Sequence, residues 1–92
     1  MEQLQEYRRQ LDDLDKQIIV LIAERLELCK NIGKYKKQNK IPMMQPERVK
    51  IVQESRVLLA RQLGISSSLV LSIYNELVAE ACKLETEIIS GI

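Results

Sequence analysis

Arg25 and Lys36 are the residues of this chain best placed to do chemistry. Arg25 stands where the apolar series Leu4, Tyr7, Leu11, Leu14, Ile18, Leu21, Leu28, Ile32 and Tyr35 calls for a core side chain, and Lys36 follows it by eleven positions. On a helix of 3.6 residues per turn that interval is three turns plus about 20°, so the two cations project from nearly the same face. A third, Arg48, closes the stretch "IPMMQPERV" in the first turn of a helix opened by Pro46, where the macrodipole disfavours a cation. Desolvated charges need paired, hydrogen-bonded counterions. Arginine grips a carboxylate through a planar fork and lysine acts as a flexible point charge, so Arg25, Lys36 and Arg48 suit a small polyanion. The competing reading is structural, with Glu24, Glu27 or Glu85 neutralising the cations inside the chain. Arg8 precedes Arg25 by seventeen residues, about 100° around the axis and roughly 25 Å along it, and can join the others only if a partner chain supplies it.

The chain offers little for proton or group transfer. It has no histidine, no serine or cysteine triad signature, no glycine-rich phosphate loop and no carboxylate-rich metal motif. Cys29 and Cys82 match no metal-ligand spacing and read as small core hydrophobes in a reducing compartment. A pocket of fixed cations fits a reaction that needs positioning and charge stabilisation more than a base, such as the unimolecular rearrangement of a dicarboxylate.

The elements that must position these residues are helices. No strand pattern or repeat is present, and the 92 residues read as one all-α domain, 1–92. The first helix is expected over about Gln3 to Gln38, the second over Pro46 to Leu63 before the stop at Gly64, and the third from Ser67 to Ile89 with Ser66 or Ser67 as N-cap. On the last helix Val70, Tyr74, Leu77, Ala81, Leu84 and Ile88 form the stripe, and Glu85 lies on its flank, partly buried. A first helix of about 36 residues is roughly 54 Å long, against a radius of gyration of about 12 Å for a compact chain of this length. A kink at Gly33 shortens it only slightly. Its seam therefore needs a second copy, and an intertwined helical homodimer is the simple solution. Lys+Arg 14 against Asp+Glu 13 creates no field for nucleic acid or a membrane surface. The start "MEQLQEYRRQ" does not read as a signal peptide and no apolar run approaches a membrane span, so a cytoplasmic location is expected.

"LDDLDKQIIVLIAERLELCKNIGKYKK" followed by "PERV" resembles the all-helical chorismate mutases, through Leu14, Asp15, Ile18, Leu21, Arg25, Ile32, Lys36 and Arg48. That resemblance implies the type II fold, an intertwined dimer with two active sites, and no cofactor. It also implies roles. Arg25 and Arg8, the latter from the other chain, would clamp two substrate carboxylates; Lys36 would stabilise charge on the ether oxygen; Arg48 would add to the positive pocket.

The departures from the family pattern bear on the substrate. Val49 stands where many members have a glutamate for the C4 hydroxyl of chorismate, Gln45 where an aspartate is frequent, Ala81 in place of a serine, and Glu85 in place of a glutamine that donates to the ether oxygen. Glu85 donates only when protonated, so a chorismate mutase built this way should prefer acid. Ionised, it can instead pair with an ammonium at C4, which makes 4-amino-4-deoxychorismate the preferred substrate. "IPMMQPERV" with "CKLE" likewise resembles the hinge and last helix of 4-amino-4-deoxychorismate mutases. The alternatives are chorismate to prephenate, then isochorismate pyruvate lyase, which carries a similar "PERV", then a non-enzymatic helical dimerisation module.

Overall fold

A computed structural model describes residues 1–91, in which three helices follow one another: α1 (Glu2–Asn39), α2 (Pro46–Gln62) and α3 (Ser67–Ser90), with no strand among the described residues. Each boundary has a local cause. Lys40 adopts a left-handed φ of 55° and the Ile41 N–H donates to the Lys36 carbonyl at 2.9 Å, which closes the last turn of α1. Pro42 and Pro46 keep the hinge out of helix until Pro46 itself takes the first position of α2. Gly64, at φ 70°, ends α2, with the Ile65 N–H donating to the Ala60 carbonyl at 3.0 Å. Ser66 is the cap of α3, its Oγ accepting from the Leu69 N–H at 3.1 Å.

Both α1 and α2 pack against α3 and not against each other. The buried apolar set is small, comprising Cys29, Val52, Ala60 and Ala81, with Glu85 the one buried charged residue among the described residues. Gly33 marks the crossing of α1 and α3. It is buried, and a Cβ there would lie 3.2 Å from Glu85 Cα and 3.3 Å from its Cγ. The glycine therefore serves close approach, and α1 runs through it as one uninterrupted helix. Gly33→Val is expected to force α1 away from α3 at this crossing and to destabilise the protein by about 1–3 kcal/mol, because the clash is with backbone as well as with side chain. Urea unfolding measures this; an undiminished midpoint would show that the contact is easily relaxed.

The molecule extends 57 × 27 × 14 Å with a radius of gyration of 16.7 Å, well above the roughly 12 Å of a compact chain of this length. Its long axis matches the about 57 Å of a straight 38-residue helix. The stripe Leu4 to Leu21, expected as a buried seam, is bare in the single chain: Leu14 and Ile18 are each 53% exposed and Leu21 62%. No described helix is long and apolar enough to cross a membrane.

Candidate functional site

The C-terminal half of α1, the hinge with the start of α2, and α3 enclose a cleft of about 170 Å³. Arg25 and Lys36 reach it from α1, Gln45, Arg48 and Val49 from the hinge and α2, and Ala81 and Glu85 from α3. These are seven of the eight residues singled out in the sequence. Arg8 is the exception: it is exposed on the N-terminal half of α1 and takes no part in the cleft of its own chain.

Lys36 is the node of the site. Its Nζ donates to Glu85 Oε1 at 2.7 Å and to the Met43 main-chain carbonyl at 2.7 Å, joining α1 to both α3 and the hinge. The Lys36 and Glu85 side chains are only 14% and 9% exposed, so each offsets the desolvation of the other. An ammonium has three N–H donors, and one remains for a ligand. The sequence offered Glu85 as one of the acids that could neutralise the cations, and for Lys36 it does so. The partner comes from α3, which crosses α1 one turn earlier at Gly33.

Arg25 differs. It is half-buried, and among the described residues no carboxylate lies within salt-bridge distance of it. Its guanidinium contacts the Cys29 Sγ at 3.9 Å and lies 5.7 Å from the centroid of the Tyr74 ring. Glu27, one of the acids that might have neutralised it, pairs with Lys30 at 3.6 Å instead. The purely structural reading thus holds for Lys36, through Glu85, and fails for Arg25.

The remaining wall is mostly apolar. Val49 is half-buried, Ala81 is buried, and Arg48 sits at the exposed edge. Gln45 braces the hinge, its Nε2 donating to the Pro42 carbonyl at 2.9 Å, and offers α2 no side-chain cap. Burial pushes the Cys29 thiol above its ordinary pKa, against the opposing pull of Arg25, so at neutral pH it is an uncharged wall of the cleft. Cys29, Val78 and Cys82 were not singled out as site residues, although Cys29 lies four positions after Arg25 and Val78 and Cys82 lie beside Ala81 in the helical pattern. Met43 had no such signal, because it contributes a main-chain carbonyl.

The arrangement places three fixed cations and one carboxylate around a small, partly apolar space. It suits an anion of dicarboxylate type that also carries a group able to donate to Glu85.

The family description chorismate mutase type II matches residues 7–86. The chain is 33% identical over 84 residues to a 4-amino-4-deoxychorismate mutase of Streptomyces pristinaespiralis, spanning 91% of this chain and 65% of that protein, just under two thirds of its length. It is 32% identical over 88 residues to a 4-amino-4-deoxychorismate mutase of Streptomyces venezuelae, spanning 96% of this chain and 85% of that one. A chorismate mutase of Methanocaldococcus jannaschii is 32% identical over 78 residues, spanning 85% and 79%. No solved structure gives a significant match.

Proposed function

Because this chain belongs to the chorismate mutase type II family, a family of isomerases, we propose that it converts 4-amino-4-deoxychorismate to 4-amino-4-deoxyprephenate by a 3,3-sigmatropic Claisen rearrangement. In that step the ether C–O bond at ring C3 breaks as the enolpyruvyl methylene carbon bonds to C1. Six electrons move in one cycle and no proton enters or leaves. The protein has only to hold the substrate folded and to stabilise negative charge growing on the ether oxygen. The free N–H of Lys36 serves that oxygen. Arg25 holds one carboxylate, Arg8 of the partner subunit holds the other, and Arg48 adds to the field.

The observation that carries the substrate preference is the 2.7 Å contact between Lys36 Nζ and Glu85 Oε1. A carboxylate accepting from an ammonium is an acceptor group, unsuited to donating to the ether oxygen. Its second oxygen is left for a cation on the substrate, and C4, next to the ether-bearing carbon, carries one in the amino compound. Val49 then has no hydroxyl to read, and Ala81 leaves space beside Glu85. The likeness to two relatives named for this substrate points the same way. The second reading, chorismate to prephenate, is favoured by the likeness to the Methanocaldococcus chorismate mutase.

The homodimer belongs to the same proposal. A projecting helix whose exposed stripe includes Tyr7, Leu11, Leu14, Ile18 and Leu21 buries it against a second copy, and that copy's α1 carries Arg8 to the cleft.

Incubating the purified protein separately with 4-amino-4-deoxychorismate, chorismate and isochorismate, and identifying the products by mass spectrometry, tests the substrate. The amino compound is expected to turn over fastest at neutral pH. Faster conversion of chorismate would sink the preference, and salicylate with pyruvate from isochorismate would make the protein a lyase.

A further inference from the structure

We propose that Tyr74 is a positioning residue that holds Arg25 in its substrate-binding orientation without neutralising it; this rests on the reading of Arg25 as a carboxylate ligand. An arginine that must bind an anion poses a conflict. An ion pair with a protein carboxylate would fix its long side chain but use up its charge and its N–H donors. A ring face restrains the guanidinium electrostatically and leaves its in-plane donors free. Arg25 has no carboxylate within salt-bridge distance among the described residues, and its guanidinium carbon lies 5.7 Å from the Tyr74 ring centroid.

The placement follows from the helix pattern. Tyr74, Val78, Ala81 and Glu85 recur at intervals of four, three and four along α3, so they share one face. The last three line the cleft, while Tyr74, half-buried, lies one turn beyond it beside Arg25. A second cation meets the same ring: the Arg56 guanidinium carbon, from α2, is 5.4 Å from the centroid, and its Nη1 donates to Ser55 Oγ at 2.9 Å. Arg56 does not line the cleft. A like charge near the same ring makes it costly for Arg25 to move toward Arg56, which lies outside the cleft lining. The ring thus helps to aim Arg25 while its charge remains available.

An interaction of this type corresponds to about a three- to thirtyfold change in substrate affinity. Losing the ring loosens Arg25 without removing it, so the carboxylate contact made on binding weakens while the clamp that holds the substrate folded persists, and the loss falls mainly on KM. Tyr74→Leu and Tyr74→Gln are expected to raise KM for the preferred substrate by about tenfold with kcat changed by less than about threefold. Tyr74→Phe keeps the ring and should restore KM. A merely structural role would lower the melting temperature or kcat and leave KM in place. The Gln variant covers the case in which Leu misfolds at this half-exposed position.

The second measurement is independent of turnover. The Arg25 Nε–Hε resonance, assigned through its loss in Arg25→Lys, should shift in both ring-less variants and stay near its wild-type position in Tyr74→Phe. If no substrate is turned over by the wild-type protein, the proposed function fails while this resonance still tests the stack. An unmoved resonance, or a wild-type KM in a folded ring-less variant, overturns the proposal.

Discussion

Arg25→Ala is expected to lower turnover by at least about a hundredfold while leaving the protein folded in its wild-type oligomeric state, because it removes the proposed carboxylate clamp that holds the substrate folded in a partly desolvated cleft. Circular dichroism and gel filtration separate this from misfolding. Arg25 makes no ion pair among the described residues, so its loss leaves no protein carboxylate stranded. The same variant tests the dimer. If each site combines Arg25 of one chain with Arg8 of the other, Arg8→Ala is also inactive alone. Unfolding the two inactive proteins together and refolding them as a one-to-one mixture should recover about a quarter of wild-type activity. Half of the dimers are then mixed, and each mixed dimer carries one intact site of two. No recovery from a mixture shown to contain heterodimer would place Arg8 outside the site, and unchanged turnover in Arg25→Ala alone would remove Arg25 from it.

Glu85→Gln is expected to shift the ratio of kcat/KM for the amino substrate over chorismate by about a hundredfold in favour of chorismate. The change replaces the acceptor proposed to meet the substrate ammonium with an amide that can donate to the ether oxygen, and a charged hydrogen bond of this kind is worth about 1.5–3 kcal/mol. The amide oxygen can still accept from Lys36, and the bond from Lys36 to the Met43 carbonyl is untouched, so the hinge is expected to stay in place. Kinetics on both substrates with wild type and variant decide the matter. An unchanged ratio would mean that Glu85 only steadies Lys36 and does not read the substituent at C4.

The helices were legible because their signals are local. Pro46, Gly64 and Ser66 each act within a turn of themselves, and the expected boundaries fall within a residue of those found: α2 ends at Gln62 and not Leu63, and α3 at Ser90 and not Ile89. The pairing of Arg25 with Lys36 on one face was equally legible, since helical rotation follows from spacing alone. The bare stripe on α1 was foreseen for a single chain by the same arithmetic of length. Gly33 shows the limit of local reading. As a residue it announced flexibility; in the fold it is the point where two helices touch.

The sequence by itself determined which residues a helix would bring to one face, how far a rod of this length must outrun its own chain, and which positions depart from a familiar pattern. Tertiary structure alone decided how the charges are shared. Lys36 and Glu85 are 49 positions apart, and their pairing depends on where α3 crosses α1. The same crossing puts Tyr74, an ordinary member of an apolar stripe, under Arg25. Charge in a cleft depends on distances of a few ångströms between groups on different elements, and no periodicity along one element encodes those distances. One cation of the face therefore came to be satisfied within the chain, and the other is left without an ion pair among the described residues.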